Sequence, residues 1–335
     1  MSEPLIWVVG SGGLLGSHMG EALCRHVQKA QLWRSTPPRF SWSDPARLSE
    51  ELIHAVATFA DAVPARGCGW ALLWCAGKGA LNSSAAGLEP EHWAWVRLLD
   101  LLGGFLAGPL GELPGSIFLA SSAGGAYGGN LPELLTERTP PRPSSEYGAH
   151  KLRMEETVRN WSNSFPNVSV LIGRISTLYG PGQDLAKPQG IISHLSRCLL
   201  YHLPVSIYVP LDTRRDYLFV DDCADQIAAS LNRTMREQPG AVLKIFASEQ
   251  LTSLAQIIGV FQRIAKRRSL IVSRLAQNPG SISLKFRSEV WRDLEGVRKT
   301  DLASGIHLLH EHQLGLFQRG LLPAPITGMR PRAVR

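Results

Sequence analysis

The segment that most restricts the fold of this 335-residue chain is a run of glycines close to its start. An apolar stretch, Leu5 to Val9, leads directly into Gly10-Ser-Gly-Gly-Leu-Leu-Gly16, and a helical pattern continues through His26. A buried strand, a glycine turn and a helix in that order are the context that a dinucleotide-binding βαβ unit requires. The residues that would line such a site are Gly10, Gly13, Leu14, Leu15 and Gly16. We therefore predict that the amides at the start of the first helix face the phosphates of a cofactor.

Strand patterns and helical patterns alternate along the next part of the chain. The strand patterns cover Ala30 to Trp33, Trp70 to Cys75, Ile117 to Ala120 and Val168 to Ile172. The helical patterns cover Pro45 to Val63, Glu91 to Leu106 and Glu146 to Asn160. Alternation of this kind predicts an α/β fold with a Rossmann-type doubly wound parallel sheet and right-handed crossovers.

The pattern changes after residue 178. Residues 1–178, with returning segments near 205–247, are expected to form the NAD(P)-binding domain, and residues 179–322 mostly a smaller C-terminal substrate-binding lobe. Strands are predicted at Val205 to Val209 and, as a returning strand, at Val242 to Ala247; helices are predicted at Gly190 to His202, Leu254 to Ala265 and His307 to Gln318. Residues 323–335, which show no periodicity, are expected to form a flexible tail.

Composition argues against several classes of protein. The 35 basic and 28 acidic residues give a formal charge of +7, but the basic residues are scattered without an aromatic-basic platform, so nucleic acid is not an expected partner. A positive balance also suits small phosphorylated substrates. Five cysteines without paired spacing predict no disulfide framework or metal site, which favours a reducing cytoplasm. The chain opens into a strand pattern rather than a signal peptide, and no apolar run approaches the ~20 residues of a membrane span.

The end of the second strand bears on the choice of cofactor. An NAD site places an acidic side chain here, where it accepts a hydrogen bond from the ribose 2′-hydroxyl. This chain has Arg34 and Ser35, which suit the 2′-phosphate of NADP, and Arg39 is placed to assist. The alternative is that Arg34 is a surface residue and the cofactor is NAD. Asp44 is expected to cap the following helix, to contact adenine, or both.

Small residues follow the third strand. Cys75, Ala76 and Gly77 would let the backbone lie against the cofactor. Lys78 either contacts a phosphate, as a substrate-binding residue, or is simply solvated.

Tyr147 and Lys151 are the main candidates for catalysis. They are four residues apart on a predicted helix, so their side chains share one face about one turn apart. A free phenol has a pKa near ~10, and an ammonium one turn away lowers the pKa toward the range of a general acid or base. A hydroxyl from Ser121 or Ser122, at the end of the fourth strand, is expected to bond the same substrate oxygen. By itself, Tyr-x-x-x-Lys is common on solvated helices.

Taken together, these segments resemble the extended short-chain dehydrogenase/reductase family, in its nucleotide-sugar epimerase, dehydratase and reductase branch. The matching segments are Gly10 to Gly16, Cys75 to Gly77, Ser121-Ser122 with Ala126-Tyr127-Gly128, Thr136-Glu137, Tyr147 to Lys151, Tyr179 to Pro181 and Arg215 to Asp222. In the family's order, they cover nearly the first two thirds of the chain. They are specific to the fold and the cofactor class and much less specific to the reaction.

The resemblance implies hydride transfer at a sugar carbon, usually C4, of a nucleotide sugar. Tyr147 would take the proton of the hydroxyl or return it to a ketone, and Lys151 would hydrogen-bond the nicotinamide ribose. Arg215 would clamp the substrate diphosphate, unless it pairs with Asp216 or Asp221. The resemblance also implies a cytoplasmic enzyme of cell-surface polysaccharide synthesis, and dimerisation through a helix pair is common in the family.

The source of the catalytic hydroxyl departs from the family's pattern. Counted back from Tyr127, the hydroxyl falls on Ala123, which has none. Counted back from Tyr147, it falls on Ser122. We expect Ser122 to supply it, with Ser121 as the next candidate.

Two further departures concern the substrate. Relatives often carry an Asn where this chain has Thr177, whose hydroxyl is a substitute contact; Tyr127 is a further substrate-binding candidate. The 4,6-dehydratases of the family carry an Asp-Glu pair where this chain has Gly124-Gly125. Glycine offers no acid for eliminating water, so a dehydratase is not expected.

Three functions are weighed on this basis. The first is an NDP-sugar 4-epimerase, and the second is an NADPH-dependent reductase of NDP-4-keto sugars. The third is a non-catalytic protein that senses NADP or binds RNA on the same fold, since a fold alone does not prove activity. The Tyr147 and Lys151 pair argues against the third, because a binding module has no need of a tuned phenol.

Overall fold

The computed structural model describes residues 3–130, 134–185, 190–207, 209–237, 240–265, 271–273, 283–294, 296 and 299–325. Its strands are β1 (Leu5–Val9), β2 (Gln31–Trp33), β3 (Trp70–Trp74), β4 (Gly115–Ser122), β5 (Leu134–Leu135), β6 (Val168–Ile175), β7 (Thr177–Tyr179), β8 (Val205–Ile207), β9 (Arg214–Phe219), β10 (Ala241–Phe246), β11 (Leu251–Ser253), β12 (Ile271–Ser273) and β13 (Lys285–Phe286). Its α-helices are α1 (Leu14–His26), α2 (Pro45–Ala62), α3 (Ala85–Leu106), α4 (Ala123–Ala126), α5 (Glu146–Ser162), α6 (Ile191–Leu200), α7 (Val220–Thr234), α8 (Leu254–Ala265) and α9 (Leu302–Gln318). Short 3₁₀ helices span Pro64–Arg66, Pro109–Glu112 and Arg292–Leu294.

Six parallel strands form the central sheet, in the order β10-β6-β4-β3-β1-β2. The chain adds β2 on one side of β1 and then crosses to add β3 on the other side, so the strand order reverses between β1 and β3. Ligands of open α/β sheets bind outside the carboxyl ends of the strands at such a reversal. Gly10 directly follows β1 and Cys75 directly follows β3, which places both at this edge.

Helices cover both faces of the sheet, which confirms the doubly wound α/β fold predicted from the sequence. On one face, a buried core joins the sheet to α2, α3 and α5 through residues such as Leu52, Leu98 and Val158. On the other face, a second core joins it to α1 and α7 through residues such as Met19 and Ile227. Each of these side chains is fully buried, which stabilises the fold by about 1.5–3 kcal/mol apiece.

Tryptophan packing connects the elements around the candidate catalytic residues. Trp74, the last residue of β3, contacts Trp95 of α3 with ring centroids 5.0 Å apart. The indole N–H of Trp95 donates to the backbone carbonyl of Met154 on α5 at 3.2 Å. Met154 lies one turn beyond Lys151. The end of β3 and the helices α3 and α5 therefore form one packed unit.

Part of the segment near residues 205–247 returns to the central sheet. The predicted strand at Val242 to Ala247 is confirmed as β10, which pairs with β6 at the edge of the central sheet. Helix α7 also returns, because it packs on α1 in the core of the second face. Two other strands of residues 205–247 join smaller sheets, since β8 pairs with β12 and β9 pairs with β7 and β11. The assignment of these strands to a domain stays a prediction. A short apolar strand has the same pattern whichever sheet it joins.

The later helices pack around a separate apolar cluster. Ile192 of α6, Ile257 of α8 and Ile306 of α9 are all buried there. The three helices predicted in this region are confirmed, although α9 begins five residues before the predicted His307. Asp301 sets that start, because its carboxylate accepts the amides of Ala303 and Ser304 at 3.0 Å. The division between a nucleotide-binding domain and a substrate-binding lobe at residue 178 stays a prediction.

Three features outside the sheet are the C-terminal tail, possible membrane spans and possible metal sites. Residues 326–335, most of the predicted tail, lie outside the described residues. Within the part of the chain that the structure describes, no helix combines the length and the apolar character needed to cross a membrane. Among those same residues, His, Cys, Asp and Glu form no cluster of three or more that could hold a metal ion.

Candidate active site

The glycine turn after β1 lies tightly against the loop that follows β3. Gly10 has φ 88°, and a Cβ at this position would lie 2.6 Å from the backbone nitrogen of Ala76. A Cβ on Gly16 would lie 2.2 Å from the carbonyl oxygen of Gly10. Neither contact is sterically allowed, so both positions require glycine. The predicted cofactor residues that follow β1 and β3 are therefore brought side by side.

The N-terminus of α1 is available to an anion. Its N-cap is Gly13, whose amide donates to the carbonyl of Gly10 at 2.9 Å, and no described side chain caps the helix. The first turn carries no acidic residue, and a Cβ on Gly12 would meet nothing within 4 Å. The amides of Leu14 and Leu15 belong to the first turn, where N–H groups have no intrahelical partner. An uncapped helix start beside open glycine backbone fits the pyrophosphate of a dinucleotide.

The end of β2 presents polar groups for the other end of such a cofactor. Arg34 and Arg39 are exposed, and neither bonds to another residue within the described ranges. Ser35 is half-buried, and its hydroxyl donates to the carbonyl of Pro37 at 3.0 Å. Asp44 caps α2 by accepting one of its first amides at 3.1 Å, which confirms the capping role; a contact with adenine stays a prediction.

The loop after β3 contacts both helices that carry charged groups of the site. A Cβ on Gly79 would lie 3.1 Å from the ring of Tyr147 on α5. A Cβ on Gly77 would lie 2.8 Å from a carboxylate oxygen of Glu91 on α3. Lys78, between these two glycines, is exposed, so the predicted phosphate contact and simple solvation both fit its position.

Tyr147 and Lys151 occupy the first two turns of α5, on the helix that the sequence predicts for them. Ser145 caps this helix by accepting the amide of Gly148 at 3.2 Å. The ammonium nitrogen of Lys151 lies 5.8 Å from the centroid of the Tyr147 ring. Tyr147 is half-buried, whereas Lys151 is only 5% exposed. The helix therefore presents a partly accessible phenol beside a buried ammonium.

A buried carboxylate binds that ammonium. Lys151 Nζ donates to Glu91 Oε1 at 2.7 Å, and His150 Nε2 lies 3.5 Å from the same oxygen. Burial acts to raise the pKa of Glu91, but the charge of Lys151 and the neighbouring His150 outweigh it and lower this pKa to about 2. Burial acts to lower the pKa of Lys151, and the charge of Glu91 reverses this, so that the pKa of Lys151 is raised. Both groups are therefore charged at neutral pH.

The two serines at the end of β4 have different environments. Ser121 is 5% exposed, and its hydroxyl donates to Glu155 Oε1 at 2.6 Å, so it is used in the interior. Ser122 is half-buried, and its hydroxyl oxygen caps the short helix α4 by accepting the amide of Gly125 at 3.1 Å. That bond does not use the Ser122 proton. Because the Ser121 proton is bonded to Glu155 and the Ser122 proton is not used in the bond with Gly125, these contacts favour Ser122 as the source of the hydroxyl.

Close packing links Ser122 to the start of α5. A Cβ on Gly148 would lie 2.2 Å from the carbonyl oxygen of Gly125, so α4 and α5 approach each other through glycine backbone. The amide of Gly125 donates to the Ser122 hydroxyl oxygen, and Gly148 directly follows Tyr147 in the sequence. The structure thus places Tyr147 against the loop after β3 and bonds Lys151 to Glu91, which contacts the same loop. Ser122 is linked to the start of α5 through Gly125.

Comparison with known proteins finds the same arrangement of segments in a family of NAD-dependent proteins. The model of the NAD-dependent epimerase/dehydratase family matches residues 111–245, which include Ser122, Tyr147 and Lys151. The chain is 37% identical over 119 residues to the dTDP-L-rhamnose 4-epimerase of Burkholderia thailandensis, a match that covers 35% of this chain and 32% of the relative. It is 26% identical over 155 residues to a dTDP-4-dehydro-6-deoxyglucose reductase of Escherichia coli, covering 46% and 47%. Over this segment the chain is similar to the NAD-dependent epimerase/dehydratase family, which agrees with its resemblance to the extended short-chain dehydrogenase/reductase branch.

The likeness of the fold extends over most of the chain. The structure of RMD from Pseudomonas aeruginosa complexed with NADPH superimposes with a TM-score of 0.73, covering 92% of this chain and 97% of that one. The identity is 19%, so this likeness shows the fold alone. The chain spans about a third to a half of the length of the curated relatives it matches, 32% and 47% for the two above. The sequence similarity therefore relates residues 111–245 to the family and leaves the reaction to a proposal.

Tyr127 lies in the interior of the protein. Its side chain is fully buried, and its hydroxyl donates to the carbonyl of Thr136 at 3.0 Å and accepts from Arg174 Nη1 at 2.6 Å. Burial raises the pKa of Tyr127, although Arg174 opposes the effect. These contacts favour a structural role for Tyr127 over the predicted contact with substrate.

Thr177 and Arg215 lie on paired strands beside the central sheet. Thr177 is on β7, which runs parallel to β9, where Arg215 is exposed. Arg215 forms no ion pair with any carboxylate among the described residues. Asp216 instead accepts a serine hydroxyl at 2.7 Å, and Asp221 pairs with a histidine of α1. The alternative of a structural ion pair for Arg215 is therefore wrong, and its contact with a diphosphate stays a prediction.

The structure adds groups that sequence reasoning missed. Glu91 gives no signal in the sequence, because a glutamate on a helix usually faces solvent. A cavity of about 260 Å³ is lined by Leu134, Glu249, Lys285, Phe286, Arg287 and Arg292. Lys285 and Arg287 are exposed there, whereas Arg292 is 3.4 Å from the carboxylate of Glu249. These basic residues stand in a segment without periodicity, and they are brought to this place by the pairing of β13 with β5 and by contacts such as that of Arg292 with Glu249.

Proposed function

We propose that this chain transfers hydride between NAD(P) and a sugar carbon of a nucleotide sugar, as an NDP-sugar 4-epimerase acting at C4 of an NDP-hexose. The position of Tyr147 carries the proposal. Its half-buried phenol ring lies against Gly79 in the loop that abuts the glycine turn, and the ammonium of Lys151 is 5.8 Å from the ring centroid. A phenol beside the cofactor elements is suited to proton transfer coupled to hydride transfer.

The residues of the chain supply the proton chemistry and the orientation. When bound, the nicotinamide would accept or donate the hydride. Tyr147 would take the proton of the sugar hydroxyl as that carbon is oxidised, and return it when the ketone is reduced. Lys151 would hold positive charge beside the phenolate and hydrogen-bond the nicotinamide ribose. Ser122 would donate its remaining proton to the sugar oxygen and keep it in line with Tyr147.

The charged groups beyond the sheet edge support a nucleotide-sugar substrate. Arg215 is exposed on β9 and has no carboxylate partner within the described residues, so its guanidinium is available to a diphosphate. Thr177 and Lys78 remain the proposed contacts to the sugar and to a phosphate. The basic lining of the cavity around Arg287 adds to the positive field in the same part of the protein. The free cysteines fit a reducing cytoplasm, where nucleotide sugars for surface polysaccharides are made.

A reductase of NDP-4-keto sugars is the second candidate. The observation that favours it is Arg34, which is exposed at the end of β2 where NADP carries its 2′-phosphate. NADPH is the usual cellular reductant. Both candidates use the same Tyr147, Lys151 and Ser122.

Trace cofactor separates the two candidates. The purified protein is incubated with UDP- and dTDP-hexoses and cofactor at a small fraction of the enzyme concentration. An epimerase interconverts the 4-epimers over many turnovers with no net change at 340 nm, because each hydride returns to the sugar. A reductase consumes NADPH in a one-to-one ratio with an NDP-4-keto sugar. The absence of both reactions with every nucleotide sugar tested contradicts the proposed function.

The preference for NADP gives a prediction about affinity. Arg34→Asp is expected to weaken NADPH binding by about 10- to 100-fold, because it removes a charge-assisted hydrogen bond to the 2′-phosphate and adds repulsion. NADH binding is expected to change little. The two dissociation constants are measured by calorimetry, with Arg66→Asp as the control for net charge, since Arg66 is exposed and precedes β3 at the opposite edge of the sheet. Equal losses for NADPH and NADH would show that Arg34 does not contact the 2′-phosphate.

A further inference from the structure

A carboxylate on α3 joins three parts of the site. Glu91 accepts from the ammonium of Lys151 on α5 at 2.7 Å. The same carboxylate is packed against Gly77, where a Cβ would come within 2.8 Å of Oε1. Its side chain is 10% exposed. Glu91 therefore touches both the predicted cofactor loop and the predicted ribose-binding lysine, although it belongs to neither.

An ammonium buried to this degree requires a partner. Lys151 is 5% exposed, and a lysine desolvated without an opposite charge loses its proton near neutral pH. The proposed chemistry needs the opposite, a lysine that keeps its charge beside Tyr147. Within the described part of the chain, Glu91 is the carboxylate that forms an ion pair with Lys151.

The direction of the ammonium is fixed as well as its charge. An ammonium has three N–H donors. One is bonded to Glu91, and Met154 Sδ lies 3.9 Å from the same nitrogen. With these two contacts on α3 and α5, a further donor is left for a group in the cleft. A ribose hydroxyl beside Gly77 has the required chemistry.

We propose that Glu91 is the positioning residue for Lys151, holding its ammonium charged and pointed at the cofactor ribose. This inference rests on the proposed function. Glu91 acts through Lys151 and needs no contact with substrate of its own. The arrangement makes the charge state of Lys151, and with it the alkaline limit of catalysis, depend on a residue sixty positions away on a different helix.

The titratable groups around the pair determine what a pH measurement reports. His150 on α5 is 3.5 Å from the Glu91 carboxylate, and His92 on α3 is next to it, with the two imidazole centroids 6.1 Å apart. Tyr147 and Glu155, on the turns before and after Lys151, both act to raise its pKa. Neither histidine is positioned to replace the carboxylate, because a histidine carries positive charge or none. Removing the charge of Glu91 is therefore expected to lower the pKa of Lys151.

Glu91→Gln tests the inference, since glutamine keeps the shape and one acceptor oxygen but not the charge. In protein labelled with ¹³C at lysine Cε, the Lys151 resonance, assigned with Lys151→Arg, is titrated by NMR without cofactor. Its pKa is expected to fall by about one to three units, the size of one close charge pair. In the loaded enzyme, the alkaline limb of the kcat profile should move toward neutral pH by a similar amount. The inference would be overturned if, in Glu91→Gln, Lys151 kept its wild-type pKa and the alkaline limb of the kcat profile did not move. This holds even if the variant melts at a lower temperature.

Matched variants exclude a general effect of the helix pair. Glu89 and Arg153 form an exposed ion pair of 2.8 Å between the same two helices, so Glu89→Gln should leave both the titration and the limb unchanged. Glu91→Asp keeps the charge, so its alkaline limb of the kcat profile is expected to lie within about a few tenths of a pH unit of the wild-type limb. This variant also tests the inference if Glu91→Gln does not fold. Failure of the proposed function would give a different result. The wild-type protein would show no turnover, while the pKa of Lys151 would still depend on Glu91. That result supports the placement of Lys151 and overturns the reaction.

Discussion

Tyr147→Phe is expected to lower kcat for hydride transfer by about 10²- to 10⁴-fold, the usual contribution of a positioned general acid or base. Phenylalanine keeps the ring that lies against Gly79 and removes only the hydroxyl. The affinity for NADPH should therefore remain within about a factor of three of the wild-type value, because the phenol oxygen transfers the proton and contributes little to cofactor binding. A decrease in kcat with an unchanged dissociation constant for NADPH identifies a group that acts in the transition state.

Single-turnover measurements check this prediction. Enzyme is mixed in excess with an NDP-sugar, and the conversion of the sugar is monitored over time. The affinity for NADPH is measured separately by calorimetry. Tyr201→Phe is the control, because Tyr201 donates its hydroxyl to the carbonyl of Leu322 in the C-terminal part of the chain. Its removal should leave kcat unchanged. Full turnover by Tyr147→Phe would mean that another group carries the proton, and an unchanged cellular phenotype would favour a protein that binds NADP without catalysis.

The sequence predicted those parts of the site that depend on local chemistry. The need for glycine at positions 10 and 16 follows from a turn and a helix that pack within a few ångströms of each other, and the structure shows these contacts. Tyr147 and Lys151 share a face because they are four residues apart on one helix, which any amphipathic α-helix ensures. The alternation of strand and helix patterns likewise predicted the parallel sheet. In each case the residues that interact are close in sequence, or the pattern repeats with a fixed period.

What the sequence did not predict depends on contacts between distant segments. Eleven of the fifteen residues of α7 are buried, including Asp222 and Asp225, so the helix has no polar face by which its pattern could be read. Asp225 is tolerated there because Arg25 of α1 donates to it at 2.8 Å. Glu91 and Ser121 follow the same logic: each polar group is satisfied by a partner from another element. Partners of this kind have no periodicity, so a single sequence gives no sign of them.

The second large effect is expected in a buried ion pair beneath the active site. Arg174, at the end of β6, donates to Glu155 of α5 through Nε at 3.0 Å and Nη2 at 2.8 Å. The two side chains are 5% and 4% exposed. Ser121 donates to the same carboxylate at 2.6 Å, and Arg174 Nη1 donates to the Tyr127 hydroxyl at 2.6 Å. Glu155 therefore ties the end of β4, the end of β6 and α5 together, one turn beyond Lys151.

Glu155→Ala is expected to lower the free energy of unfolding by about 3–5 kcal/mol, because it leaves the guanidinium of Arg174 buried without its counter-charge. Glu89→Ala, which breaks the exposed pair between α3 and α5, is expected to cost far less, because solvent screens that pair. Both values come from urea unfolding followed by tryptophan fluorescence. The double variant Glu155→Met with Arg174→Met should recover much of the loss, since an apolar pair leaves no unpaired charge in the interior. Equal costs for Glu155→Ala and Glu89→Ala would contradict the burial of this pair.

Glu155→Ala also removes the hydrogen bond that holds Ser121 at the end of β4. Because Ser121 precedes Ser122, which carries the candidate hydroxyl, kcat of Glu155→Ala should fall even where the protein remains folded.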